Sequence, residues 1–129
     1  MLSLLTYILI DNVWINLAMK NFYDAQIGAL RNLDVSYFQI GCGVLVWGLL
    51  TLGLFVFVLP GTKTYKQVLL GGALFGAIVY GVYDLTNYVA LVHWPLSLVL
   101  VDWAWGIFVN AIMAVFIFHS KKRFKITHF

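Results

Sequence analysis

The stretch QVLLGGALFGAIVYGVYDLTNYVALVHWPLSLVLVDWAWGIFVNAIMAVFIFHS, residues 67–120, decides the architecture. Asp84 and Asp102 are its only formal charges. A spanning helix needs about 20 predominantly apolar residues, and two such runs lie here, over 68–92 and 96–118. His93-Trp94-Pro95 joins them so tightly that they read as one hairpin. Helices are required rather than strands. Lipid offers no partner to backbone N–H and C=O groups, and the runs are too long for barrel strands.

Working outward, residues 35–62 carry no charge and supply a further span over 38–59, closed by Pro60-Gly61. A first span is expected over 2–19. It resembles a signal peptide in length, but it has no basic start and no A-x-A site, and Asp11 interrupts it. Between these two spans, residues 20–34 mix Phe22, Tyr23, Ile27 and Leu30 with polar residues, as an amphipathic segment lying at the interface does. The expected fold is therefore an all-α integral membrane protein, a compact four-transmembrane-helix bundle. It forms one domain over residues 1–129, with a basic C-terminal tail over 119–129.

Composition agrees. Of 129 residues, 63% are hydrophobic and 10% charged, against roughly 25% charged in soluble domains. That excludes both a water-soluble domain and a disordered chain. Cys42 is the only cysteine, so no internal disulfide can form. Lys63, Lys66, Lys121, Lys122, Arg123 and Lys125 fall on one side of a four-span topology, and Lys20 and Arg31 on the other. The positive-inside tendency then places both termini in the cytoplasm. Lys121, Lys122, Arg123 and Lys125 are candidates for contact with anionic lipid headgroups. No nucleic-acid recognition motif accompanies the positive charge.

Asp11, Asp84 and Asp102 lie inside apolar spans, where an aspartate costs about 2.5–3.5 kcal/mol at a helix centre. Tyr80, Asp84 and Asn87 share one helix face by their spacing, and so do Asp102, Gly106 and Asn110. The candidate ligand or proton site is thus Asp84, Asp102, Asn87, Tyr80, Asp11 and Asn110. A purely structural reading stands beside it, in which the same residues clamp the helices together. On either reading Asp84→Leu should be harmful, by stripping Tyr80, Asn87 and Asp102 of a partner. Gly72, Gly76, Gly48 and Gly106 are expected at close helix contacts, with Gly72 and Gly76 able to serve self-association. Trp94, Trp103, Trp105 and Tyr88 read as an aromatic belt at the membrane surface. Asp11-x-x-Trp14 and Asp102-x-x-Trp105 repeat a D-x-x-W pattern, taken as coincidence in a Trp-rich chain.

Enzyme signatures are missing. The sequence has no G-x-S-x-G, H-E-x-x-H or P-loop. Tyr83-Asp84 matches the Y-D of intramembrane aspartyl proteases, but their G-x-G-D partner is absent. His93, His119 and His128 are dispersed. No metal, cofactor or catalytic residue is expected.

Tyr80-Gly81-Val82-Tyr83-Asp84-Leu85-Thr86-Asn87, Trp94-Pro95-Leu96 and Asp102-Trp103-Ala104-Trp105-Gly106 resemble the signature of an uncharacterised bacterial family of predicted four-helix membrane proteins. That family is marked by Y-D-L-T-N and D-x-x-W-G. Asp11-x-x-Trp14, Phe22-Tyr23-x-x-Gln26-Ile27-Gly28, Leu59-Pro60 and Gly71-Gly72-Ala73-Leu74-Phe75-Gly76 extend the likeness along nearly the whole chain. The resemblance implies a four-helix membrane domain, in a bacterial inner membrane or in the internal membrane of a large algal virus, with no established activity. The leading functional expectation is a transporter-like or ligand-binding protein in contact with membrane lipids. Its rivals are a structural component, as a homo-oligomer or within a larger membrane assembly, and a lipid-modifying accessory protein or enzyme.

Overall fold

A computed structural model describes residues 1–124, all of whose regular structure is helical. Lys125 and His128 lie outside the described residues. The helices are α1 (Leu2–Val13), α2 (Lys20–Ile27), α3 (Tyr37–Gly53), α4 (Tyr65–Ala90) and α5 (Leu96–Arg123). Single π-helical turns, Trp14–Ala18 and Leu54–Val58, prolong α1 and α3. A 3₁₀ turn, Gly28–Leu30, ends α2.

Local sequence explains the helix ends. Ser36 accepts from the Gln39 N–H while the Gln39 side chain returns to the Ser36 backbone. Thr64 and Gln67 do the same for α4. Each capping box satisfies donors that the first turn leaves open. Gly61 has φ +74° in the turn after α3, a left-handed value that glycine adopts without a Cβ clash. Pro95 precedes α5, where its missing N–H costs nothing.

Three helical stretches are long and apolar enough to cross a membrane: Tyr37–Val58, Tyr65–Ala90 and Leu96–Arg123. The N-terminal stretch Leu2–Ala18 occupies the place expected for a first span over 2–19, but it is not counted as a span by itself. Leu2–Ala18 and Lys20–Leu30 meet at 71°, so the chain has three candidate spans, or four if this bent pair counts as one. The π turn before the bend closes through the Met19 N–H to the Trp14 carbonyl, and π turns are a recognised cause of sharp kinks. Beyond it, Lys20, Asn21 and Asp24 make the next segment too polar for hydrocarbon. The described part of the basic stretch is helical. α5 continues through Arg123, with Lys121, Lys122 and Arg123 in its last turn. Cations there complement the helix dipole, and the Lys122 ammonium lies 4.6 Å from the Phe118 ring centre.

α5 is the central element, supplying Trp105, Val109, Met113, Ala114, Ile117 and Phe118 to the buried core. Its tightest partner is α4. A Cβ added at Gly72 would lie 2.6 Å from the Asn110 carbonyl oxygen, and one at Gly76 would strike the Gly106 backbone. The Gly106 position is filled by the Tyr80 ring. The G-x-x-x-G face of α4 is therefore used within the chain, leaving it unavailable for self-association. Gly48 has no atom within 4 Å of its missing Cβ. The outer faces stay apolar, with Leu49, Phe57, Leu74, Ile78, Val89 and Leu100 exposed. In the absence of surrounding lipid such a surface would aggregate.

Candidate functional site

Asp84 and Asp102 each lie six residues inside their helices, about 9 Å from the α4–α5 connection at ~1.5 Å per residue. The tight connection makes α4 and α5 neighbours and brings the two carboxyl groups close enough to interact. Tyr23 of α2 donates its hydroxyl to Asp102 at 2.6 Å. Trp14 donates its indole N–H to the same Tyr23 oxygen at 3.2 Å. Asp84 ends this chain. It is fully buried, and no N–H or O–H among the described residues reaches either of its oxygens. A carboxylate is acceptor-only, so two ionised carboxyl groups cannot bond each other, and a single proton on the pair would supply the missing donor.

Asp11 belongs to a different cluster. Its two carboxylate oxygens accept from Trp105 Nε1 at 2.8 Å and Trp47 Nε1 at 2.9 Å. The Trp105 ring also stacks on Trp14, with centroids 4.2 Å apart and planes parallel. The two D-x-x-W fragments are thus interlocked. The tryptophan of the second binds the aspartate of the first. The tryptophan of the first reaches the aspartate of the second through Tyr23.

A third cluster holds Asn110. Its side-chain oxygen accepts from the buried Tyr7 hydroxyl at 3.0 Å, and its amide donates to the Gly106 carbonyl at 2.8 Å. Tyr80 lies near Tyr7, and Asn87 near Tyr83. The Tyr80, Asp84 and Asn87 face is therefore divided among three different partners. Trp103 donates to the Ala77 carbonyl at 2.8 Å, and Trp105 is buried on Asp11. Two of the four rings read from sequence as an aromatic belt, Trp103 and Trp105, thus also serve as hydrogen-bond donors to the bundle.

A cavity of about 360 Å³ opens beside Asp102. Every helix contributes to its wall. Val46, Leu50, Val79 and Leu98 make it apolar, and Asp11 and Asp102 enter from opposite helices. Tyr80, Tyr83 and Trp94 form an aromatic side, with Tyr83 and Trp94 packed edge to face at 6.0 Å. Trp94 also borders a smaller recess, about 310 Å³, with His93 and Gln26. Its indole N–H is buried with no partner among the described residues.

Arg31 closes the cavity at the connection end, held by Asp24 and by the Asn16 side chain. Asp24 also takes Lys20. Hydrogen bonds from Lys20 and then Arg31 hold the exposed Asp24 carboxyl below the usual carboxylate range. The clamp is complete above the ordinary aspartate range and loosens only as pH falls through that lowered value. Ser97 donates to Gln26 at 2.7 Å, a second tether of α2 to the start of α5.

Sequence reasoning missed Tyr23, Tyr7, Trp47, Trp105 and Arg31 as members of these clusters. Only the D-x-x-W echo signalled any of them. Among the described residues, no group of three or more His, Cys, Asp or Glu side chains could hold a metal ion.

A family model described as a predicted membrane protein (DUF2177) matches residues 1–119. No curated protein and no solved structure matches the chain.

Proposed function

The chain belongs to this family of predicted membrane proteins of unknown function, and on that footing we propose a small multi-pass, transporter-like protein that binds its ligand within the membrane, in the cavity beside Asp102. One observation carries the reading. Asp84 is fully buried with no donor, and its polar neighbour is a second carboxyl that opens onto a cavity. A helix clamp needs satisfied partners, as at Asp11 and Asn110. A carboxyl pair with no donor on one member stabilises nothing, and intramembrane acids of that kind mark proton or ligand sites. Asp11 and Asn110 accordingly hold the bundle, while Asp84 and Asp102 work.

In this reading Leu2–Ala18 makes the first crossing and α2 lies along the interface. Four crossings then place both termini on the basic, cytoplasmic side. A cysteine at position 121, in a chain with Cys42 replaced by serine, should be labelled only from the cytoplasm. Labelling from outside would overturn the topology.

Flux tests the function. Proton and solute flux should be measured in liposomes for the parent chain and for Asp84→Asn. The asparagine keeps shape but cannot exchange a proton. Loss of flux in a stably folded variant is expected. No flux in either protein, or equal flux in both, would overturn the transport reading.

A further inference from the structure

We infer that the cavity beside Asp102 takes a hydrophobic monocation, an organic ammonium with a small apolar or aromatic body, which enters as a proton leaves the Asp84–Asp102 pair. This rests on the ligand-binding reading of the same site and specifies its ligand.

Size comes first. At about 360 Å³ the cavity is at the small end of the range for small-molecule pockets, roughly 300–1,000 Å³. The wall chemistry comes next. Most of the wall surface is apolar, with aliphatic side chains from α3, α4 and α5 beside Ile15 and Ile27, so the body of the ligand is apolar. Tyr80, Tyr83 and Trp94 present aromatic rings on one side. Such rings attract cations as well as hydrocarbon.

Charge decides the sign. Asp11 and Asp102 both line the cavity. The Asp11 oxygens are taken by two indole donors, whereas Asp102 has Tyr23 on one oxygen and Asp84 beside it. Arg31 is the one cation among the lining residues, and Asp24 and Asn16 already hold its guanidinium. An anionic ligand would have to compete with Asp24 for Arg31 and would face two aspartates. A cation would meet a carboxyl group that lacks a counter-ion. The titratable and charged groups facing Asp102 are Asp11 from α1, Tyr23 from α2, Arg31 beyond it, and Tyr80, Tyr83 and Asp84 from α4. Lys121, Lys122 and Arg123 lie at the far end of α5.

The exchange balances. The pair with one shared proton carries one negative charge. When the proton leaves to water the pair carries two, and the entering cation restores the total to one. Neither occupied state buries an uncompensated extra charge, which would be costly in this environment. Two carboxyl groups in contact titrate as a unit, so the proton belongs to the pair rather than to either residue.

The test uses the full chain in detergent or nanodiscs with benzyltrimethylammonium and with neopentylbenzene, its uncharged isostere. Titration calorimetry reads affinity, and a weakly buffered pH electrode reads protons. Benzyltrimethylammonium is expected to bind with release of close to one proton. Its affinity should rise by up to about tenfold per pH unit while the pair still holds its proton. Asp102→Asn should weaken it at least tenfold and abolish proton release. In that variant Tyr23 can still donate to the amide oxygen, and thermal melting checks the fold. Asp84→Asn, as a second variant, should abolish proton release. Equal binding of neopentylbenzene would overturn the cation and leave the binding cavity standing. Cation binding without proton release, or unaltered in both variants, would overturn the exchange. If neither probe binds, this inference and the binding reading both fail.

Discussion

Replacing Trp105 with alanine is expected to lower the unfolding free energy in detergent by about 3–5 kcal/mol, the scale of a large aromatic removed from a packed core. Three losses coincide at this residue. The ring leaves a cavity in the core on α5. Trp14 loses its parallel stacking partner. Asp11 loses the donor to Oδ1. Trp105→Phe separates them. It keeps most of the packing and an aromatic face for Trp14 but removes the N–H, and should cost about 1–3 kcal/mol for the orphaned acceptor. Thermal or denaturant melts of the three proteins give the comparison. A loss under about 1 kcal/mol for the alanine variant would show that the interlocked D-x-x-W fragments do not hold the bundle.

The second large effect has opposite signs in stability and activity. Asp84→Val is expected to preserve the fold or to stabilise it, by about 1–3 kcal/mol, while abolishing ligand binding and flux. Burying a polar group without a donor costs roughly that amount, and an apolar side chain removes the penalty. Valine is nearer to aspartate in volume than leucine is, which limits overpacking. The sequence alone led to the contrary expectation that an apolar residue here would harm the fold. The opposite outcome is expected here because Asp102 keeps Tyr23 and, among the described residues, no hydrogen bond joins Asp84 to Tyr80 or Asn87. Melting temperature and flux measured on one preparation decide the matter. A clear drop in stability would mean that Asp84 is a clamp after all.

The apolar runs were legible because bilayer thickness and helix rise leave little freedom: α3, α4 and α5 sit within a few residues of their expected places. The approach of Asp84 to Asp102 was legible for a related reason, since a three-residue connection forces two helices together and equal depth follows from counting. The N-terminal region was harder. Its bend depends on a single π turn at Trp14–Ala18, a register change that hydropathy does not record. The partners of Asp11 were harder still. Trp47 and Trp105 reach it through the rotation of α3 and α5 about their axes. In helices apolar all round, sequence periodicity carries almost no information about that rotation. Tyr23 was hidden in the same way, because its contact with Asp102 exists only after α2 folds back at 71° over the cavity.

The double indole grip on Asp11 also bears on how the protein is made. α1 leaves the ribosome before its partners, carrying an aspartate in its apolar run. Its donors lie 36 and 94 residues further along the chain. At synthesis rates of about 5–20 residues per second, the second donor follows by roughly 5–20 s. Over that interval the nascent first helix has a carboxyl group that lipid does not tolerate. It must remain beside the insertion machinery, at the bilayer surface, or bound to some other polar escort until α5 arrives. Final assembly is thus tied to completion of the last helix. A chain cut short before Trp105 would expose, in α1, the polar flaw by which membrane quality control can recognise it.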